Sequence, residues 1–332
     1  MTTLSFLDLV PVLEGGSIST ALANAADMAR HCEAMGLDRY WVAEHHGMAG
    51  IGGAATSVVL AHIGAATSRI RLGAGGIMLP NHAPLQIAEQ FGTLDALYPG
   101  RIDLGLGRAP GSDGRVAQAL RRTLASSPEN FVQDILELQA YFAGDPRLGF
   151  KAVPGAGADP EIWILGSSLF GAQVAAALGL PYGFASHFAP ALLDQALAVY
   201  RAQFQPSARR PRPHAMVACS VFAAATRQEA QYHASSMQQG YVALRRGGGG
   251  QGFRPPIEGY AESLSADERR MIEESMAVGV VGTADDVGVF LADLRKRTGA
   301  DEIIMTSQIY AHEARRESVR LAATAAGCIA PA

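Results

Sequence analysis

Eight short apolar runs, most of them followed by a stretch of helical periodicity, limit what this 332-residue chain can fold into. The runs are Leu4–Val10, Arg39–Ala43, Ile70–Gly73, Ile102–Leu106, Ile162–Leu165, Tyr182–Ala185, Met216–Ala223 and Glu302–Thr306. Between them, Ile18, Leu22, Ala25, Ala29 and Cys32 recur at helical spacing before Gly36. The segment Ala54–Ala66 and the set Leu85, Ala88, Phe91 and Leu94 do the same, as do Phe131, Ile135, Leu138 and Phe142. Gln173–Leu178, Leu192–Phe204 and the set Val287, Phe290, Leu291 and Leu294 complete the connections, and Val319 and Ala322 mark a last helix. Strands this apolar need cover on both faces. An eightfold alternation therefore predicts a closed (β/α)8 TIM barrel over residues 1–332 rather than an open doubly wound sheet. One segment breaks the rhythm. Residues 239–265, with Arg245, Arg246, four consecutive glycines and Pro255-Pro256, are expected to form a long lid-like insertion after the seventh strand.

Composition narrows the function. With 48% hydrophobic and 17% charged residues the chain can bury a large core, and its net charge of -4 offers no broad basic field to nucleic acid. Arg209, Arg210 and Arg212 lie among prolines and read as a solvated turn. No apolar run approaches the roughly 20 residues of a membrane span, and Asp8 and Glu14 interrupt any signal-like segment. Three well-separated cysteines, Cys32, Cys219 and Cys328, fit neither a disulfide framework nor a metal ribbon. Cytoplasm is the expected compartment.

The chemistry concentrates where strands end. Asp103-Leu104-Gly105-Leu106-Gly107-Arg108 and Leu165-Gly166-Ser167-Ser168 each run from apolar strand into small residues with phosphate-seeking groups. Arg108 is placed either to grip a phosphate with its guanidinium or to form a rim salt bridge to an acid such as Asp113. Ser167 and Ser168 serve either as phosphate donors or as a helix N-cap, with Gly171 permitting close approach. Gly105, Gly107 and Gly111 fail the dinucleotide spacing, and Pro110 stands at the third glycine. Reducing equivalents are thus expected from outside the chain. In Glu44-His45-His46 the adjacent histidines point opposite ways, which argues against a two-histidine metal site; no metal is expected. Glu44 either orients a histidine or pairs with an arginine.

Trp41–His46, Gly73–Pro80, Pro99–Arg108 and Leu165–Pro181, together with Val281–Ile309, resemble the bacterial luciferase-like flavin monooxygenases. The resemblance implies a (β/α)8 barrel that binds reduced FMN supplied by a separate NAD(P)H:flavin reductase. Such an enzyme oxidises a small organic substrate with O2 through a C4a-peroxyflavin. It implies His45 as the catalytic histidine with Glu44 beside it, and Gly75, Gly76, Gly107, Arg108, Ser167, Ser168 and Gly171 as cofactor contacts. Gly75-Gly76 matches the position of a non-prolyl cis peptide beneath the flavin; two glycines in a tight turn are the plainer alternative. His82, His187 and Asp8 fall where the family lines its substrate pocket, although a buried pair with an arginine would equally explain Asp8. Gly107 replaces the reactive cysteine of luciferase itself, so light emission is not implied. The family usually forms homodimers, and Ala54, Ala55, Val58, Val59, Ala61 and Ala65 offer a small-residue face for one. A deazaflavin-dependent dehydrogenase and a non-catalytic flavin-binding protein are the alternatives.

Overall fold

The computed structural model describes residues 2–109, 114–120, 128–246 and 252–329. Its strands are β1 (Thr3–Asp8), β2 (Arg39–Val42), β3 (Arg71–Met78), β4 (Ile102–Gly107), β5 (Glu161–Gly166), β6 (Tyr182–Phe184), β7 (Ala215–Ala223), β8 (Gly279–Gly282) and β9 (Glu302–Thr306). All pairings between them are parallel. The ladder runs from β1 through β6 to β7, and β9 joins β7 back to β1. Eight strands thereby close a TIM barrel. The helices are α1 (Ile18–Ala34), α2 (Thr56–Gly64), α3 (Pro84–Leu97), α4 (Gly114–Leu120), α5 (Pro128–Ala143), α6 (Leu169–Ala177), α7 (Leu193–Gln203), α8 (Arg227–Arg245), α9 (Ala266–Ser275), α10 (Ala284–Thr298) and α11 (His312–Ala326). Among the described residues no helix is long and apolar enough to cross a membrane.

Strand alternation sorts the side chains into two cores. Leu7, Trp41, Ala43, Trp163, Met216, Ala218 and Ile304 fill the barrel interior, where Trp41 and Trp163 meet edge to face at 5.4 Å. Their strand neighbours, among them Phe6, Tyr40, Val42, Leu104 and Ile164, pack outward beneath the helices. Local signals set the helix ends. Ser17 Oγ accepts from the Thr20 N–H to start α1, and Gly36 follows its end at φ +74°. Thr283 and Asp286 form a capping box on α10.

Two expectations need correction. A strand absent from the sequence reading, β8, pairs only with β7 and lies outside the barrel. The segment 239–265 is also more regular than its composition suggests. Residues 239–245 are the last turns of α8, and Ser265 with Glu268 makes the capping box of α9. Beyond the glycines, Gln239 Nε2 donates to Pro255 O at 2.8 Å, the Ile257 N–H donates to Ser235 Oγ at 2.8 Å, and Phe253 exchanges backbone bonds with Val12 and Glu14. The glycine run 247–250 lies outside the described residues.

The end of the barrel where the strands begin is plugged by charge. Arg39 donates to both oxygens of Glu302 (2.9 and 3.0 Å), to Asp103 (2.9 Å) and to Glu161 (2.8 Å). Arg71 and the Trp41 indole bind the two oxygens of Asp103, His214 binds Glu302 at 2.7 Å, and Arg210 pairs with Glu161. Three arginines thus face three carboxylates. Gly73 makes room: a Cβ there would stand 2.4 Å from Trp41 Nε1 and 2.7 Å from Asp103 Cβ. Burial alone would raise the Glu302 carboxyl, but the His214 hydrogen bond and the Arg39 charge hold it down to about 2. A carboxyl depressed in the folded state stabilises above its unfolded value, and that contribution is lost as pH falls towards about 2. Glu302→Gln should therefore flatten the acid limb of a stability–pH curve between about pH 5 and 2. Arg39→Met, which takes the shared cation from buried Asp103 and Glu302 and half-buried Glu161, should cost about 3–5 kcal/mol in urea unfolding; a wild-type midpoint would contradict this role of the cluster.

Candidate active site at the barrel mouth

In a parallel barrel every strand delivers its last residues to the same rim. Glu44, His45 and His46 follow β2, Gly75 and Gly76 lie in β3, and His82 follows the turn at Leu79–Asn81. Gly107 ends β4 with Arg108 next, Ser167 and Ser168 link β5 to α6, and His187 follows β6. The residues expected at the site therefore come to one face, apart from Asp8.

Asp8 ends β1 pointing the other way. Leu7 takes the interior position, so Asp8 faces the helices, where Arg315 Nη2 donates to it at 2.5 Å and the Val10 N–H at 2.8 Å, with the Tyr40 hydroxyl on its second oxygen. The period of two along a strand decides the matter. Asp8 is not a pocket residue; it anchors α11 to β1.

The corner between β4 and α6 is suited to an anion. The Arg108 guanidinium sits 4.5 Å from the centre of the Phe170 ring, in the first turn of α6. Among the described residues no carboxylate pairs with Arg108, and Asp113, its alternative partner, lies outside them. Ser168 occupies the N-cap position of α6 with extended backbone, yet its side chain makes no capping bond. The first N–H groups of α6 are left to an outside acceptor, and the helix dipole favours a negative one. Gly166 and Gly171 face each other closely: a Cβ on Gly166 would lie 3.7 Å from the Gly171 Cα.

Gly75 and Gly76 shape the neighbouring floor. Their peptide bond is cis, and the β3–β4 register shifts between Ala74 and Ile77. A Cβ on Gly76 would meet Gly105 O and Leu165 Cδ1 at 2.7 Å, and one on Gly75 would meet Leu7 Cδ1 at 2.6 Å. A side chain does not fit at either position.

Glu44 is a hub. The residue is 1% exposed, and its Oε1 accepts from His46 Nε2 at 2.7 Å and His82 Nε2 at 2.9 Å, while the Met78 N–H donates to Oε2 at 3.2 Å. Burial raises the carboxyl, but these bonds more than compensate and leave it below its usual range. One carboxylate oxygen of Glu44 and one ring nitrogen each of His46 and His82 lie within 4.8 Å of one another, as a metal site would require. The two short separations, however, are those of hydrogen bonds, whereas ligands around a zinc ion at about 2.0–2.1 Å stand roughly 3.3 Å apart. Glu44 thus ties β2 to the end of β3 and orients His46 and His82.

The sequence comparisons give the family. The sequence model of the luciferase-like monooxygenase family matches residues 3–302. The chain belongs to that family. A luciferase-like monooxygenase of Escherichia coli K12 is 49% identical over 319 residues, covering 96% of this chain and 95% of that protein. An N-acetyl-S-alkylcysteine monooxygenase of Bacillus subtilis is 32% identical over 89% of both. Among solved structures, apo-MsnO8 superposes with a TM-score of 0.87 at 33% identity over 98% of both chains. The FMN complex of the oxygenating constituent of 3,6-diketocamphane monooxygenase from Pseudomonas putida shares the fold (TM-score 0.69, 16% identity, 97% and 96% covered). So does an F420-dependent secondary alcohol dehydrogenase (0.65, 13%, 96% and 97%).

Two participants in this luciferase-like barrel escaped the sequence reading. His46 was discounted because it alternates away from His45, and that alternation is what brings it to Glu44. Phe170 was not singled out at all; its place two residues after the helix cap was the available signal. Glu44→Gln keeps the shape but removes the charge that three donors share. We expect it to lower stability by about 1–3 kcal/mol in denaturant titrations, and an unchanged midpoint would show that the hub is dispensable.

Proposed function

We propose that this protein is an FMN-dependent monooxygenase that receives reduced flavin from a separate NAD(P)H:flavin reductase and uses O2 to oxidise a small organic molecule. The observation that carries the proposal is Arg108: a guanidinium without a carboxylate partner among the described residues, beside a helix start whose N-cap side chain makes no capping bond. That combination suits a phosphate dianion, with Ser167, Ser168 and the N–H groups of α6 as further donors. Gly75, Gly76 and Gly107 would bring bare backbone close to the flavin ring, and Gly171 allows close approach at the phosphate. When bound, reduced flavin supplies the electrons that activate O2 and transfer one of its atoms. The chain's own share is to bind, orient and exclude water. His45 stands at the rim as the group that holds or moves a proton near the flavin's reacting edge, and Glu44 keeps the β2 and β3 ends in place beside it.

Substrate identity follows from pocket chemistry rather than from fold. Met48 and Phe188 are exposed on the loops that carry His45 and His187, which suits an organic substrate with an apolar part. The Bacillus subtilis relative makes N-acetyl-S-alkylcysteines the first compounds to assay. A homodimer belongs to the same proposal, with Val58 exposed on α2 and Leu97 on α3.

Anaerobic titration should show reduced FMN binding to the wild type, and oxygen should then be consumed with product formed. Arg108→Ala should weaken reduced FMN by about ten- to a hundredfold, as expected for loss of hydrogen bonds to a charged group. His45→Ala should abolish turnover while leaving flavin affinity within a few-fold. Preference for a deazaflavin, with hydride transfer and no oxygen uptake, would replace this reading with a dehydrogenase.

A further inference from the structure

His187 is held in one chemical form by its surroundings. It lies in a tight turn after β6 in which the N–H groups of Phe188 and Ala189 both donate to Ala185 O (3.2 and 3.1 Å), and the Ser186 hydroxyl is bonded to Ala218 O. Its Nδ1 is sealed from solvent and has no hydrogen-bond partner, whereas the residue as a whole is only half-buried and, among the described residues, no hydrogen bond occupies Nε2. The ring is therefore closed at one nitrogen and open at the other. A proton on Nδ1 would leave a buried N–H unsatisfied, at a cost of roughly tenfold or more in population; a bare lone pair there is tolerated better. The imidazolium needs that same buried proton and would also face His45. In the barrel order β2 and β6 stand four strands apart, so these two rings approach from opposite sides of the mouth. Burial first, and the nearby His45 second, push the His187 imidazole down to about 4.

We propose that His187 is a fixed, uncharged hydrogen-bond donor that presents Nε2–H at the barrel mouth and selects substrates carrying an oxygen acceptor, a carbonyl or carboxylate, next to the atom that is oxidised. This rests on the monooxygenase reading above and goes beyond it by naming a group on the substrate. It also removes His187 from acid–base duty. A neutral ring does not release its Nε2 proton in the accessible pH range, and its one lone pair is buried. Proton transfer is left to His45.

The test uses 15N-labelled full-length protein without flavin, with His187→Gln to assign the signals. We expect a pyrrole-like Nε2 and a pyridine-like Nδ1 that persist unchanged from pH 8 to about 5. A panel of acceptors (acetone, acetate and N-acetyl-S-methylcysteine) should include at least one that shifts the Nε2 proton downfield. With the flavin-loaded enzyme, His187→Phe should raise the KM for the accepted substrate by about tenfold, and His187→Asn, which keeps an N–H, by no more than about threefold. Reduced FMN affinity should be unchanged in both. A proton on Nδ1, protonation near neutral pH, or an Nε2 signal that no member of the panel moves would overturn the proposal. Failure of the wild type to bind reduced FMN would instead defeat the monooxygenase reading, and the tautomer measurement would still stand.

Discussion

The structure depends on the charge cluster that closes the barrel where its strands begin. Arg39 reaches three carboxylates from three strands, Arg71 and Arg210 take the two oxygens it leaves on Asp103 and Glu161, and His214 and the Trp41 indole add second bonds to oxygens it already holds. An eight-stranded barrel must fill its interior with side chains, and here the bottom layer is ionic rather than aliphatic. Such a layer is weak as a source of stability against a well-packed apolar one, but removing Arg39 leaves the buried Asp103 and Glu302 carboxylates without the cation they share. It fixes which strand stands beside which, because each partner is usable only in one register. Above it, Trp41 and Trp163 occupy the middle, and glycines in β3 and β4 give those large rings and the strand backbones room to pack.

That arrangement leaves the opposite rim free for chemistry. Three separate devices stand there: the proposed phosphate corner of Arg108, Phe170 and the start of α6; a glycine-bare stretch in β3; and the histidines. The Glu44 hub connects the second to the third, since it bonds the Met78 N–H of β3 as well as His46 and His82. Its net effect is mechanical. The loop that carries His45 is held to the strand that carries Gly75 and Gly76, so the proposed proton-handling group and the proposed flavin bed cannot drift apart independently.

Much of this was legible in the residues. The eight barrel strands and their covering helices follow from periodicity, and boundaries differ by a few residues; β3 runs to Met78 because glycines hid its second half. The strand β8 was invisible: four residues, two of them glycine, on the outside of the barrel give no period to read. The segment 239–265 misled because glycine and proline content says nothing about the ends of a segment, and its first seven residues continue a helix. Among site residues, the gathering of strand-end groups at one rim follows from parallel topology alone. The orientation of Asp8 was decidable in principle, since Leu7 and Leu9 flank it, but a strand with apolar residues on both faces has no obvious inside. The partners of Glu44 could not be read, because His82 is 38 residues away and reaches it only through the β2–β3 pairing.

The account's central claim is that the tips of β4 and β5 hold the phosphate of a flavin mononucleotide. A crystal structure of this protein with FMN measures that directly. We expect the phosphate within hydrogen-bonding distance of the Arg108 guanidinium, the Ser167 and Ser168 groups and the first N–H groups of α6, with the ring against Gly75 and Gly76. A phosphate seated elsewhere on the rim, or no flavin retained at millimolar concentration, would contradict it.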